Sequence, residues 1–144
     1  MRTAQGHVPL PSAIMETCLD VTDLPRSQDF YTGFFGYSVI NCDGRYCALS
    51  VGGHQVLVLF VRGGDPGGTR LPFGTIPPHG TTGPAHIGFS VPAETLPAWE
   101  NLLRERGIPV ESSVTWPTGG RSVYFRDPDG HLLELLTPGI WSIY

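Results

Sequence analysis

The chain of 144 residues contains no lysine, and its nine basic side chains are all arginines. These arginines are scattered along the sequence, and the formal net charge at pH 7 is −4. Nucleic-acid binding needs a clustered basic surface, so the sequence predicts no nucleic-acid partner. The longest apolar runs, such as VLVLFV, are far too short to cross a bilayer, so no membrane partner is predicted either.

Cysteine is also scarce, with Cys18, Cys42 and Cys47 alone and no CxxC spacing among them. An odd number of cysteines without that spacing is typical of reduced thiols rather than of disulfides or a zinc site. We therefore expect three free thiols in a cytoplasmic protein. The opening residues lack the charged-then-apolar pattern of a signal peptide, and residues 1–13 are expected to form a flexible N-terminal arm.

Glycine (19 residues) and proline (14 residues) are abundant, which favours short strands joined by turns. Two segments of similar pattern begin at Met15 and at Ala85. Each opens with an alternating strand, passes through a Leu-Pro turn, continues as a helix and ends at a glycine, Gly36 or Gly107. Three further strand patterns follow each helix. The repeat therefore predicts a β-α-β-β-β order in each half of the chain.

This repeat predicts an α+β fold in a single domain over residues 14–138. Module 1 spans about 14–62, a loop spans 63–84, module 2 spans about 85–138, and residues 139–144 form a C-terminal tail. Since a small sheet with one helix cannot bury both faces alone, we expect the modules to pack side by side. They would form a cupped mixed sheet around a central cavity, with the helices on the outer face. The Gly/Pro-rich loop is either a functional, mobile segment or a plain linker.

Strand alternation predicts which polar side chains face this cavity. In the first strand of module 1, Glu16, Cys18 and Asp20 lie opposite the apolar set. In the first strand of module 2, His86 takes the position equivalent to Glu16. In the last strand, Glu134 interrupts an apolar run, where a carboxylate is costly to bury without a partner. A metal ion bound by Glu16, His86 and Glu134 is an economical explanation of all three positions.

Nitrogen and oxygen ligands without a thiolate suit a divalent ion such as Mn²⁺, Fe²⁺, Ni²⁺, Co²⁺ or Zn²⁺. Simpler interpretations of each residue stay open. His86 can be an ordinary histidine at the start of a strand, and Glu134 can pair with Arg121 or Arg126. Cys18 is a weaker candidate ligand on the same strand face as Glu16.

Further candidates surround the predicted cavity. Tyr124, on the penultimate strand, is a candidate catalytic hydrogen-bond donor to a bound oxyanion if its face points inward. His79, in the long loop, is either a catalytic acid/base group for neutral pH or an exposed loop histidine. Trp116, Trp141 and Phe73 either line the cavity or serve in packing. Two turn histidines are predicted to be exposed: His54 and His131.

The chain resembles the vicinal oxygen chelate superfamily over roughly residues 14 to 138. The resemblance rests on the segments LDVTDLPRSQDFYTGFFGY, GPAHIGFSVPA and SVYFRDPDGHLLELLTPG. The last segment is the most specific, because its Asp-Pro-Asp-Gly turn and following glutamate match the closing hairpin of the family. The superfamily includes glyoxalase I, bleomycin-resistance proteins, extradiol dioxygenases, fosfomycin-resistance enzymes and methylmalonyl-CoA epimerase.

The resemblance implies paired βαβββ modules around a metal-containing cavity, with ligands from the first strand of each module and from the final strand. Those positions hold Glu16, His86 and Glu134 here. It also implies a metal with open positions that chelates neighbouring substrate oxygens and stabilises an enolate or alkoxide, with Glu134 or Glu16 as a base. Similar dioxygenases have a second histidine at the position of Glu16, and glyoxalase I has a fourth ligand at the position of Val58.

Three functions follow from this resemblance. The first is a metal-dependent enzyme of the glyoxalase or dioxygenase type, a lyase, isomerase or dioxygenase acting on a small substrate with vicinal oxygens. The second is a metal-free drug-binding protein of the bleomycin-resistance type. The third is a fosfomycin-resistance-like transferase, which needs a cationic pocket for a phosphonate. A homodimer is also implied, with the tail TPGIWSIY at a symmetric interface.

Overall fold

The structure, a computed structural model, describes residues 9–144. Most of the predicted N-terminal arm, residues 1–8, lies outside the described residues, whereas residues 9–15 contain no helix or strand and are exposed. In the described part of the chain, no helix is long and apolar enough to span a membrane. Within residues 9–144, the first strand begins at Glu16, the first of the predicted metal ligands.

Each half of the chain has the predicted β-α-β-β-β order, and the α+β fold class is confirmed. The elements of module 1 are β1 (Glu16–Val21), α1 (Leu24–Phe35), β2 (Ser38–Cys42), β3 (Tyr46–Val51) and β4 (Gln55–Val61). A hairpin of β5 (Thr69–Leu71) and β6 (Gly74–Ile76) follows. The elements of module 2 are β7 (His86–Ser90), a 3₁₀ turn (Ala93–Thr95), α2 (Leu96–Glu105), β8 (Ser112–Thr115), β9 (Arg121–Arg126) and β10 (Leu132–Leu136).

Two four-stranded sheets correspond to the two modules, with strand orders β1-β4-β3-β2 and β7-β10-β9-β8. In each sheet the first strand runs parallel to the last strand of its module, and the other neighbours are antiparallel. Val58 lies opposite Cys18 in one sheet, and Glu134 lies opposite Gly88 in the other. Val58 and Glu134 therefore occupy equivalent positions of the repeat.

Local signals set the limits of the helices. The Asp23 side chain accepts a hydrogen bond from the backbone N–H of Arg26 at 3.0 Å and caps the start of α1. Gly36, with φ of 72°, ends α1 in the left-handed conformation, which glycine adopts without steric strain. Gly107, with φ of 65°, follows α2 in the same way. Both predicted glycine stops are confirmed.

One apolar core joins the two modules. Phe34 of α1 contacts Phe125 of β9, with ring centroids 5.4 Å apart, and Phe35 contacts Phe89 of β7 at 4.6 Å. The helix of module 1 therefore packs against the sheet of module 2. Other fully or almost fully buried members of this core come from both sheets and both helices: Leu19, Val21, Leu49, Leu57, Leu59, Tyr31, Leu96, Leu103, Val123, Leu133 and Leu135.

This shared core decides where the polar strand faces lie. Glu16 alternates with the buried Leu19 and Val21 along β1, and Glu134 alternates with Leu133 and Leu135 along β10. Because those apolar residues face the common core, the opposite faces of the two sheets line two separate clefts. Among the described residues no backbone ladder joins the two sheets. The predicted central cavity is thus divided into two halves within one chain.

The segment between the modules is more ordered than its composition predicts. Its β5–β6 hairpin forms a two-stranded sheet, and Asp20 Oδ2 accepts a hydrogen bond from the Thr81 backbone N–H at 2.9 Å. His79 packs edge-on against Phe60, with ring centroids 4.6 Å apart. Strands of three residues are too short to give an alternation pattern, so the sequence predicted no regular structure here. The segment forms one wall of the cleft that contains Glu16.

The Asp-Pro-Asp-Gly turn between β9 and β10 also joins the two modules. Asp127 is buried and accepts a hydrogen bond from the Tyr31 hydroxyl of α1 at 2.8 Å. Asp129 accepts hydrogen bonds from the Thr22 backbone N–H at 3.0 Å, from its hydroxyl at 2.6 Å, and from the Ser27 hydroxyl at 3.3 Å. The sequence predicted only the backbone turn. The two carboxylates of this turn also fix the relative position of the modules.

His131 is fully buried, which contradicts the predicted exposed position, whereas His54 is exposed as predicted. The Nδ1 atom of His131 accepts a hydrogen bond from the Ala85 backbone N–H at 2.9 Å. Its Nε2 atom lies 2.8 Å from the carbonyl oxygen of Asp20 and must therefore carry the proton. A turn residue is normally exposed, but here the turn itself is covered by module 1.

Cys42 and Cys47 contradict the prediction of three free thiols. They lie directly opposite each other in the β2–β3 pair and form a disulfide. Cys18 is free and exposed. Sequence spacing gave no sign of the bridge because the pairing depends on the register of two antiparallel strands.

Replacement of Asp129 by asparagine is expected to destabilise the fold in a pH-dependent way. Burial raises the pKa of Asp129, but hydrogen bonds from Thr22 and Ser27 and the nearby Arg26 outweigh it and hold the pKa below its usual range. Because the folded-state pKa is lowered, this stabilisation is present above the unfolded-state pKa and is lost as pH falls through the folded-state pKa. We expect Asp129→Asn to lower the free energy of unfolding at pH 7 by about 1–3 kcal/mol, measured by urea denaturation.

The matched control is Asp43→Asn, at an exposed hairpin position where hydrogen bonds from Arg45 lower the pKa of the carboxyl. This variant should have nearly wild-type stability, because an exposed carboxylate is well solvated in both states. Equal loss of stability in the two variants would contradict the proposed role of the Asp129 hydrogen bonds between the modules. A loss in Asp129→Asn that persists unchanged at pH 2–3 would contradict it as well.

Thiol titration tests the disulfide. In denaturant without reductant, a thiol reagent is expected to label Cys18 alone, and reduction should expose all three cysteines. Cys18→Ser protein should then show no reactive thiol before reduction. Three reactive thiols in unreduced wild-type protein would show that Cys42 and Cys47 are not bonded.

Candidate functional site

An open cleft of about 640 Å³ lies on the polar face of the module 2 sheet. Three adjacent strands supply its floor, with His86 from β7, Glu134 from β10 and Tyr124 from β9. Trp116 and Trp141 line its sides. The cleft therefore combines ionisable groups on rigid strands with aromatic walls, an arrangement typical of small-molecule sites.

His86 and Glu134 are in direct contact at the floor of this cleft. His86 Nε2 lies 3.1 Å from Glu134 Oε1, and the two side chains are 51% and 11% exposed, respectively. Gly88, directly opposite Glu134, keeps this space open, because a Cβ there would lie 2.8 Å from Leu136 Cδ2 and 3.8 Å from Glu134 Oε1. The structure thus brings together two of the three predicted metal ligands.

Ser122 and Trp116 hold the second oxygen of Glu134. The Ser122 hydroxyl is fully buried and donates a hydrogen bond to Glu134 Oε2 at 2.5 Å. The Trp116 indole N–H donates to Ser122 Oγ at 2.9 Å. Alternation places Ser122 on the same strand face as Tyr124, two residues before it, but Ser122 was not among the predicted site residues. Trp116 was predicted only as a lining or packing residue.

Tyr124 faces the cleft, as required for its predicted role. It lies opposite Glu134 in the β9–β10 ladder, and its ring centroid is 6.1 Å from that of His86. Partial burial raises the pKa of Tyr124, and the neighbouring Glu134 carboxylate acts in the same direction, although the nearby Ser122 hydroxyl acts in the opposite one. The phenol therefore stays protonated at neutral pH and can donate a hydrogen bond to a ligand in the cleft.

Glu16 lies in a different cleft, of about 370 Å³, on the polar face of the module 1 sheet. That cleft is mainly apolar, with Val56, Val58, Phe60 and Ile76 among its lining residues. Across residues 9–144 of one chain, no group of three or more His, Cys, Asp or Glu side chains is arranged to hold a metal. Glu16 therefore does not join His86 and Glu134 within one chain.

Cys18 lies beside Glu16 on β1, with its Sγ 3.6 Å from Glu16 Oε1. Burial, the Glu16 carboxylate and Asp20 raise the pKa of the Cys18 thiol to about 11. The thiol is therefore protonated at neutral pH in the metal-free chain, and a metal ion would have to displace its proton, since metals bind the thiolate.

The remaining candidates lie outside the His86–Glu134 cleft. His79 lies on the loop against module 1, where it lines clefts next to Asp20.

Arg121 pairs with Glu100 at 3.0 Å, and Arg126 pairs with Glu111 at 2.6 Å. Since neither arginine bonds Glu134, the ion-pair interpretation of that residue is not borne out. Phe73 is exposed on the β5–β6 hairpin.

The donor set fits a divalent cation in part. A histidine nitrogen and a carboxylate oxygen lie side by side, facing an open cleft, and both are donors that first-row divalent metals accept. His86 neutralises the nearly buried carboxylate only if it is protonated. Two ligands are fewer than the three that such sites normally take from protein, so one donor has to come from elsewhere.

Comparison with known proteins agrees with this fold. The sequence model of the glyoxalase/bleomycin resistance protein/dioxygenase superfamily matches residues 13–135. The crystal structure of lactoylglutathione lyase from Agrobacterium tumefaciens is similar, with 33% sequence identity, a TM-score of 0.82, and coverage of 92% of this chain and 98% of that one. The fosfomycin resistance protein FosX from Listeria monocytogenes has the same fold, with 22% identity, a TM-score of 0.68, and coverage of 91% and 97%.

Two relatives are similar over parts of their length. The metallothiol transferase FosB of Bacillus licheniformis is 44% identical over 58 residues, which are 40% of this chain and 38% of that protein. The biphenyl-2,3-diol 1,2-dioxygenase 3 of Rhodococcus globerulus is 33% identical over 128 residues, which are 81% of this chain and 58% of that protein. The matches thus span less than two thirds of either relative. With the family match over 13–135 and the shared fold, the chain belongs to the glyoxalase/bleomycin resistance protein/dioxygenase superfamily.

Proposed function

We propose that the protein is a divalent-metal-dependent enzyme of the glyoxalase/dioxygenase type that acts on a small substrate with vicinal oxygens. The observation that carries this proposal is the contact between His86 and Glu134 at the floor of an open aromatic cleft. Glu134 is nearly buried and has no arginine partner among the described residues, so its carboxylate is stabilised there by contacts with Ser122 and His86. A bound cation would neutralise the negative charge of this carboxylate.

We further propose that two copies of the chain complete each site. The cleft with His86 and Glu134 has two donors, and the cleft with Glu16 has a third on a mainly apolar face. Both faces are open in a single chain, because the common core covers only the opposite sides of the sheets. Apposition of module 1 of one copy with module 2 of the other would bury both faces and bring Glu16 to His86 and Glu134.

In this arrangement His86, Glu134 and Glu16 hold the metal. The bound ion would supply Lewis acidity, which stabilises negative charge on the chelated oxygens. Tyr124 donates its hydroxyl proton in a hydrogen bond to the substrate oxygen next to Glu134. Glu16 is better placed than Glu134 to move a proton, because Glu134 is held at both oxygens and Glu16 is exposed. His79, which packs against Phe60 of the Glu16 cleft, is the second acid/base candidate.

The charges of the two clefts disfavour a phosphonate substrate. Among the described residues that line the His86–Glu134 cleft there is no arginine. Arg45 in the Glu16 cleft is already bound by Asp43 at 3.1 Å and lies 3.9 Å from Asp65. A phosphonate or a second carboxylate would therefore enter without a free cationic partner other than the metal. The lining favours an uncharged, apolar substrate over the fosfomycin type.

Metal analysis tests the proposed function. Purified protein should bind about one divalent ion per chain, and Glu134→Ala should weaken binding by more than about 100-fold because a ligand and its charge are lost. The matched control is Glu111→Ala, which removes an exposed glutamate paired with Arg126 and should retain the metal. If wild-type protein binds none of Mn²⁺, Fe²⁺, Ni²⁺, Co²⁺ and Zn²⁺ in titration calorimetry, this function is ruled out. Chelator-insensitive binding of bleomycin-type compounds would then favour the metal-free alternative.

Mixing two inactive variants tests the shared site. Neither Glu16→Ala nor Glu134→Ala homodimers should bind metal with wild-type affinity. After subunit exchange, about half of the dimers are mixed and each has one intact site, so binding should return to about a quarter of wild-type capacity. No recovery in a mixture whose exchange is verified by mass spectrometry would show that the site is not shared between copies.

Ligand titration tests the proposed preference for uncharged substrates. In metal-loaded protein, catechol and an uncharged 2-oxoaldehyde–thiol adduct should raise the melting temperature, because they chelate the metal and pack against apolar walls. Fosfomycin at the same concentration should raise it less. A larger shift with fosfomycin, or protection of a susceptible bacterial host by the gene, would reverse this order.

A further inference from the structure

We infer that Trp116 is a positioning residue that acts through Ser122 to fix Glu134, leaving Oε1 as the one oxygen that faces the metal. This inference rests on the proposed function for the metal, but the chain of hydrogen bonds itself is independent of it. Ser122 and Trp116 thereby have a specific task, beyond the lining or packing role that the sequence predicted for Trp116.

The direction of each hydrogen bond in this chain is determined by chemistry. An indole N–H can only donate, so Ser122 Oγ must accept from Trp116 at 2.9 Å. The serine hydroxyl has one proton, and a carboxylate oxygen can only accept, so that proton points to Glu134 Oε2. Because Trp116 uses a lone pair of Ser122, it excludes the rotamer in which the hydroxyl proton points away from Glu134.

The Trp116–Ser122–Glu134 hydrogen bonds fix the orientation of the carboxylate, in addition to stabilising its charge. Ser122 is fully buried and lies on β9, next to β10 in the same sheet, so its oxygen cannot move far from Glu134. With Oε2 held, rotation of the carboxylate is blocked and Oε1 remains directed at His86 Nε2, 3.1 Å away. Glu134 would therefore present Oε1 alone to a bound ion.

Trp116 has a second contact surface in the same cleft, because its ring is part of the wall beside Tyr124 and Trp141. A substrate that packs against this wall also contacts the residue that orients the ligand. Trp116→Phe separates the two roles, since phenylalanine keeps an aromatic wall and removes the N–H donor.

The experiment is a double-mutant cycle read by metal affinity. Ser122→Ala should weaken metal binding by about 10- to 100-fold, and Trp116→Phe by about threefold to tenfold, in titration calorimetry with Mn²⁺ or Ni²⁺. Ser122→Thr keeps the hydroxyl and should restore most of the affinity. In the Ser122→Ala background, Trp116→Phe should have almost no further effect, because the indole acts only through the hydroxyl.

The matched control is Trp141→Phe, the same substitution in the same cleft, where the indole has no hydrogen-bond partner among residues 9–144. It should change the metal dissociation constant by less than about twofold. Equal effects of Trp116→Phe and Trp141→Phe, or additive effects of Ser122→Ala and Trp116→Phe, would overturn the inference. Circular dichroism of each variant shows that it is folded before affinities are compared.

A readout without metal separates this inference from the proposed function. In urea denaturation of metal-free protein, Ser122→Ala and Trp116→Phe should be coupled by about fivefold in the unfolding equilibrium constant. If wild-type protein binds no metal but the coupling is present, the proposed function is wrong and the role of the Trp116–Ser122–Glu134 hydrogen bonds is supported. If the protein binds metal and the coupling is absent in both measurements, the inference about these hydrogen bonds is wrong and the metal site is supported.

Discussion

The desolvation of one carboxylate governs the candidate site. Glu134 lies in a strand whose neighbours on both sides, Leu133 and Leu135, belong to the core, so the strand cannot move the side chain out to solvent. A carboxylate in that position needs partners that offset the loss of water. The protein supplies one from Ser122 and one from His86, and the open side of the cleft is left for a third. A polar site on an otherwise apolar strand is therefore stable only with its hydrogen bonds in place.

The packing of the modules explains why Glu16 does not meet His86 and Glu134 within one chain. Phe34 and Phe35 place α1 against the sheet of module 2, and Asp127, Asp129 and His131 join the same two units by hydrogen bonds. Both sets of contacts lie on the core side of the sheets. The polar faces are consequently left uncovered in one chain, and apolar residues of the Glu16 cleft are exposed there.

Alternation along strands predicted the faces correctly, whereas it could not predict what those faces meet. A period of two assigns Glu16, His86 and Glu134 to the side away from the buried leucines, because that assignment depends only on local geometry. Whether two faces share one cavity depends on contacts between modules, which have no local sequence pattern. The same limit explains the disulfide of Cys42 and Cys47, set by strand register.

Sequence-based predictions were wrong or incomplete for residues whose role comes from tertiary contacts. His131 follows a Gly-containing turn, a position that is exposed in most proteins, but module 1 covers it here. Alternation places Ser122 on the face of Tyr124, but its role comes only from the carboxylate on the next strand. The loop hairpin was missed for a different reason, since strands of three residues carry too few positions for a pattern.

The repeat also shows how one scaffold can give its two modules different polar faces. Val58 and Glu134 occupy the same position of the two modules, yet one is apolar and the other is a carboxylate. A second carboxylate at position 58 would place a further negative charge near Glu16 and add desolvation without an additional serine or histidine partner. With valine there, the module 1 sheet presents Glu16 on a mainly apolar face, whereas the module 2 sheet presents His86 and Glu134 between aromatic walls. The difference concentrates the polar groups on the sheet that has the hydrogen bonds to hold them.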